Sequence, residues 1–255
     1  MERQTHLSDL IPRKPLASPP PEAQDLTVDL PGGTLPVRIF PASERAPMVF
    51  FFPAEGDTLD HYHELGKNFL KNDITLAIIG YRGMNEGAGE PSFENIFQDA
   101  VQAFWATREA LAARGYKGPI SLLGRSLGAG VALRIAVDLA SELSALILDS
   151  PIIDGPSWLA KRGLASHEDP FQVIEHIKRW RKPLLIFQAQ LDEEVSLPEA
   201  EKLLIFCAGH NKRLLIMPGF RREETIEKGG PLYAETIAEL LNRLASRFGR
   251  KRKMH

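Results

Sequence analysis

The chain has 255 residues, 44% hydrophobic and 25% charged, with 31 Lys and Arg against 33 Asp and Glu. A formal net charge of -2 and an isoelectric point near 6.4 argue against a nucleic-acid footprint or a need for an anionic membrane. Length and apolar content suit one domain with a single large core.

The N-terminal residues 1–25 carry Pro12, Pro15 and the run Pro19-Pro20-Pro21. Proline lacks the amide donor that helices and inner strands need, so this stretch reads as a flexible arm ahead of a domain over 26–249. Residues 1–14 hold no continuous apolar segment of the signal-peptide kind, and no later run approaches the ~20 apolar residues of a membrane span. The lone Cys207 excludes an internal disulfide and fits a reducing compartment; it lies in the apolar stretch 203–207 and reads as core. These features together predict a cytoplasmic protein. The sequence carries no signal for an oligomeric state.

Short β-branched or aromatic runs alternate with longer helical ones, the pattern of a mostly parallel sheet clad by helices. Strands are expected over 26–30, 35–40, 48–52, 74–79, 120–123, 145–148, 184–188 and 214–217. The first two are joined through Pro31-Gly32-Gly33 and should form a hairpin at an antiparallel edge. Helices are expected over 93–114, 127–140, 171–180, 198–207 and 232–248, and His61 and His63 fall at the start of a further one. The stretch 152–169, with Gly155, Pro156, Trp158 and Gly163, is long for a connection and reads as a small lid. Gly249 should end the last helix, leaving 250–255 as a solvated basic tail.

After the strand at 120–123 comes Gly124-Arg125-Ser126-Leu127-Gly128, followed by a helix. Between a strand and a helix this pattern sets serine on a turn so tight that only small residues fit two positions away on either side. The helix beginning at Leu127 aims its dipole and free amides at the same point, which favours an oxyanion formed in acyl transfer.

Tyr81-Arg82-Gly83, Gly89-Glu90-Pro91-Ser92, the elbow and Asp192-Glu193-Glu194-Val195 follow one another in order. With these motifs the chain, from about Met48 to its C-terminal helix, resembles the serine-aminopeptidase-like small acyl hydrolases of the α/β-hydrolase superfamily. The resemblance implies an α/β-hydrolase fold with an eight-stranded, mostly parallel sheet. It also implies Ser126 as nucleophile, Asp192 as triad acid with Asp149 as a lesser alternative, and oxyanion donors at Glu55 and Leu127.

Two departures bear on activity. The family closes its triad with histidine in a glycine-rich turn, whereas this chain reads Pro218-Gly219-Phe220-Arg221-Arg222. Arg222 then stands where the base should be, and arginine accepts no proton under protein conditions. In the oxyanion segment the family's His-Gly pair is replaced by Pro53-Ala54. Among the other histidines, His176 and His210 precede strands and fall at the wrong end of the sheet; His61, His63 and His167 fall at the right end. His167, flanked by Glu168 and Asp169, is the best surrogate base.

No metal-ligand spacing or nucleotide-binding pattern is present, so no cofactor or metal is implied. The leading expectation is a serine hydrolase acting on a small-molecule ester or amide through Ser126. The alternative is a catalytically inactive member of the fold with a binding or interaction role. Arg222 is expected to pair with Asp192, with Glu223 or Glu224 in competition, and Arg222→His alone to restore a base.

Overall fold

The chain turns back on itself at Pro31 and Gly32, where Gly32 has φ +75°, the left-handed conformation glycine adopts without a Cβ penalty. That turn joins β1 (Gln24–Leu30) to β2 (Gly33–Phe40) in an antiparallel hairpin. The computed structural model describes residues 6–164 and 168–252. In it, β3 (Met48–Phe52), β4 (Thr75–Ile79), β5 (Ile120–Arg125), β6 (Leu143–Asp149), β7 (Leu184–Ala189) and β8 (Lys212–Met217) complete one sheet in the order β1-β2-β4-β3-β5-β6-β7-β8. β2 runs antiparallel to both its neighbours and every other pairing is parallel. Every residue of β3, β4, β5 and β7 is buried, as strands covered on both faces must be.

The helices are α1 (His63–Lys71), α2 (Ile96–Ala113), α3 (Leu127–Asp138), α4 (Gly155–Lys161), α5 (Val173–Arg179), α6 (Leu197–Phe206) and α7 (Thr225–Arg252). α1 packs on α7, while α2, α3, α5 and α6 touch in succession, giving two helical groups around the sheet. α2 begins at Ile96 rather than 93 because Ser92 and Asn95 cap one another: Ser92 N donates to Asn95 Oδ1 (2.9 Å) and Asn95 N to Ser92 Oγ (3.2 Å). α7 is broken at Gly230 (φ +46°), and Pro231 opens its second part, where a missing amide costs nothing.

Two expectations about the connections need correction, and a third gains detail. Proline does keep 11–23 out of helix and strand, but the segment is no free arm. Leu7 and Ile11 are buried in the core, Leu10 O accepts from Gly56 N (2.8 Å) and Pro12 O from Asn85 N (2.8 Å). Buried apolar area and satisfied carbonyls offset the entropy of ordering it. The stretch expected as a lid contains α4, capped by Asp154 accepting from Ser157 N (2.9 Å), with Trp158 and Leu159 buried. Gly249 does not end the last helix, which continues to Arg252; one glycine costs only about 1 kcal/mol there.

The Tyr81-Arg82-Gly83 motif has a structural use. Arg82 forks onto Asp99 of α2 (Nε–Oδ2 2.8 Å, Nη2–Oδ1 2.6 Å) and donates to Pro31 O (2.7 Å), tying the hairpin turn to α2. Tyr81 OH donates to Pro53 O (2.6 Å) and so holds the loop after β3.

Candidate active site

Ser126 lies in the turn between β5 and α3 with φ +51° and ψ -115°, a backbone conformation that a non-glycine residue holds only under constraint. The flanking glycines supply it. A Cβ on Gly124 would come within 2.1 Å of Gly128 O, and one on Gly128 within 2.0 Å of Phe52 O. Ser126 N donates to Asp149 O (3.0 Å), fixing the turn on β6.

Asp192 follows β7, at the same end of the sheet as Ser126, and its side chain is fully buried. Four donors converge on its carboxylate: Glu194 N (2.9 Å) and Val195 N (3.0 Å) on Oδ1, Gln188 Nε2 (2.9 Å) and Arg222 Nη1 (2.8 Å) on Oδ2. The other arm of the same guanidinium, Nη2, donates to Ser126 Oγ (3.0 Å). Arg222 therefore spans the gap between Asp192 and Ser126.

The two loops that carry this pair are zipped together. Leu191 N donates to Phe220 O (2.9 Å) and Gln190 N to Met217 O (3.0 Å), while Gly219 N donates to Gln190 Oε1 (2.8 Å). Arg125, the residue before the serine, is buried and grips the turn from below, donating to Glu223 O (2.5 Å) and Arg222 O (3.2 Å). Neither Glu223 nor Glu224 competes for Arg222: Glu224 is engaged by Lys228 (2.7 Å), and the second acid near Arg222 is Glu194, 3.6 Å from Nε. A 3-10 turn at Arg222–Glu224 keeps such near neighbours in sequence from reaching back to the guanidinium.

Leu127 N donates to Glu55 Oε2 (3.2 Å), and Glu55 Oε1 accepts from Arg162 Nη2 (2.9 Å). The two residues expected to offer oxyanion donors thus face one another, with the side chain of one on the amide of the other. Arg162 also pairs with Glu194 (2.6 Å) and lies over the Trp158 ring at 4.2 Å. A cleft of about 170 Å³ is lined by Ala54, Glu55, Arg125, Ser126, Arg222 and Glu227. A second, of about 270 Å³, lies beside α4, lined by Ile152, Trp158, Lys161, Glu194 and Val195 among others.

Asp149 is fully buried, and burial raises its pKa against the opposing pull of Arg125, Thr225, Ser150 and Tyr233. It accepts from Thr225 Oγ1 (2.7 Å) and Tyr233 OH (3.2 Å), so its carboxyl is committed beneath the turn.

Among the described residues no histidine bonds Ser126. His61 Nδ1 lies 3.1 Å from Asp57 Oδ1, His63 faces Glu22 (3.6 Å), and His176 is buried on α5. His167 lies outside the described residues. Arg125, Arg162 and Glu194 were not singled out by the sequence. Arg125 could have been, because the residue before an elbow serine must lie beside the site. Nothing in the sequence marks Arg162, which arrives from α4 across the fold.

The sheet order, the strained turn and the loops gathered at the carboxyl ends define an α/β-hydrolase fold. Residues 43–167 match the family model described as serine aminopeptidase, S33. The chain is 28% identical over 170 residues to the lysophosphatidylserine lipase ABHD12 of Macaca fascicularis, covering 58% of this chain and 42% of that protein. It is 27% identical over 195 residues to human protein ABHD12B, covering 66% and 53%. The chain therefore spans about half or less of the length of these curated relatives. In structure it is similar to the Pyrococcus furiosus esterase Pf2001, with a TM-score of 0.74 at 18% identity over 91% of this chain and 98% of that one. It is also similar to a soluble variant of the Saccharomyces cerevisiae monoglyceride lipase, with a TM-score of 0.71 at 16% identity over 91% and 98%. No helix among the described residues is long and apolar enough to cross a membrane.

Proposed function

We propose that this chain is a catalytically silent α/β hydrolase, which keeps the superfamily's cleft for recognition of a small acyl ester or amide but does not cleave it. One observation carries the reading: the Arg222 guanidinium bridges Asp192 Oδ2 (2.8 Å) and Ser126 Oγ (3.0 Å). Acyl transfer by serine requires a neighbouring group that takes the hydroxyl proton. A guanidinium offers five donors and no acceptor. Ser126 Oγ is accordingly an acceptor facing a cation, and among the described residues its proton has no base to go to. Nor does the positive charge act as an unscreened activator of the hydroxyl, because Asp192 and Glu194 compensate it.

Supporting a retained cleft are the two cavities flanking Ser126 and α4, the larger close to the lower end of small-molecule sites at roughly 300 Å³. The curated relatives named as lysophosphatidylserine lipases make an acyl ester the natural ligand class.

Fluorophosphonate labelling tests the reading. The wild type is expected to label no more than Ser126→Ala. Labelling or ester turnover that depends on Ser126 would show an active enzyme with a base elsewhere, and loss of that activity in His167→Ala would name it.

A further inference from the structure

Removing a base is one way to silence a serine hydrolase, and filling the oxyanion hole is another. The amide of Leu127, at the start of α3, points to the place where the carbonyl oxygen of a substrate would gather negative charge. That amide is already taken by Glu55 Oε2 at 3.2 Å. A carboxylate oxygen carries the charge that the hole is built to stabilise, and a charge-assisted bond to it outcompetes one to a neutral substrate carbonyl.

The carboxylate is anchored rather than loose. Its second oxygen accepts from Arg162 Nη2 at 2.9 Å, and the Glu55 side chain is only 13% exposed. Arg162 is in turn held by Glu194 at 2.6 Å and by the face of Trp158. The loop around Glu55 is tied on both sides. Tyr81 OH donates to Pro53 O, Tyr62 OH donates to Asp57 Oδ2 (2.5 Å), and Leu10 O accepts from Gly56 N. Gly56 has φ +81°, which lets the loop turn there without strain.

We infer that Glu55 is a second lock on this site, an internal carboxylate that occupies the oxyanion hole with Arg162 as its anchor. This inference rests on the reading of Arg222 as the first lock. The two locks meet at Glu194, which pairs with Arg162 and lies 3.6 Å from Arg222 Nε. Alternating charges thus run Glu55, Arg162, Glu194, Arg222, and end on Ser126. Restoring a histidine by Arg222→His alone leaves the hole filled, so the single substitution does not restore turnover.

The experiment compares p-nitrophenyl acetate hydrolysis by the wild type, Arg222→His, Arg222→His with Glu55→Ala, and the latter with Ser126→Ala, each checked for a cooperative thermal transition. The double variant should exceed Arg222→His by about 100-fold, the scale set by one oxyanion donor, and Ser126→Ala should abolish the gain. Equal rates in the single and double variants would overturn the Glu55 lock and leave the Arg222 lock standing. Ser126-dependent turnover in the wild type would instead overturn the Arg222 reading. Should the double variant not fold, Glu55→Gln with Arg222→His removes the charge from the hole while keeping the side chain's shape; no gain over Arg222→His there would equally overturn the inference.

Discussion

Arg222 and Asp192, thirty residues apart in sequence, meet at 2.8 Å with the aspartate fully buried and the arginine side chain only 14% exposed. The pair forms because the loops after β7 and β8 are bonded side by side, and on the proposed reading it stands where a hydrolase would hold its acid and its base. On that reading, stability and silence depend on the same contact.

Arg222→Met should destabilise the protein by about 1–3 kcal/mol, since it strips a charged partner from a buried carboxylate that keeps three other donors. Adding Asp192→Asn should recover part of the loss, as the uncompensated charge is then gone. Urea unfolding at neutral pH measures both. A loss under about 0.5 kcal/mol for Arg222→Met would mean that the pair behaves like an exposed surface bridge.

The elbow glycines should be far less replaceable than a glycine that is merely left-handed. Alanine at Gly124 or Gly128 drives a Cβ into backbone at 2.1 or 2.0 Å, and neither strand nor helix can move aside, so about 3 kcal/mol or more should be lost. Gly219 has φ +72°, but a Cβ there would meet nothing within 4 Å, so alanine should cost only about 1–2 kcal/mol. Comparable losses at all three positions in chemical denaturation would refute the steric account of the elbow.

His176 should make the fold acid-sensitive. It is buried with neither ring nitrogen hydrogen-bonded, and its pKa is lowered by burial first, then by Arg134 and Arg179, with Asp138 and Asp169 opposing. The unfolded chain thus binds this proton at a higher pH than the folded one. Stability contributed by the neutral ring is present above the ordinary histidine value near 6.5 and declines as pH falls below it. Thermal midpoints at pH 7.5 and 5.0 should differ less in His176→Leu than in the wild type; an unchanged difference would remove His176 as the source.

Local patterns were legible where one periodicity or one turn decides the outcome. The buried run Met48–Phe52, the hairpin at Pro31-Gly32 and the helix starting at Leu127 follow from apolar continuity and glycine placement alone. The packing of 6–23 was not legible, because proline composition excludes regular structure without excluding burial. The helix α1 was signalled only by its start, since the following stretch mixes polar residues with the buried Leu65 and Phe69.

The sequence by itself determined that the elbow stands between a strand and a helix, that no histidine occupies the turn after β8, and that an arginine stands there instead. Those are properties of residue type at a fixed place in the chain. Tertiary structure alone decided where the charges go: that Arg222 reaches Ser126 and Asp192 at once, that Glu194 rather than Glu223 or Glu224 is its second acid, and that the Glu55 carboxylate turns back onto Leu127 N. The physical reason is that side-chain pairing depends on distances of about 3 Å between loops far apart in sequence, and those distances exist only once the sheet has brought the carboxyl ends of its strands together.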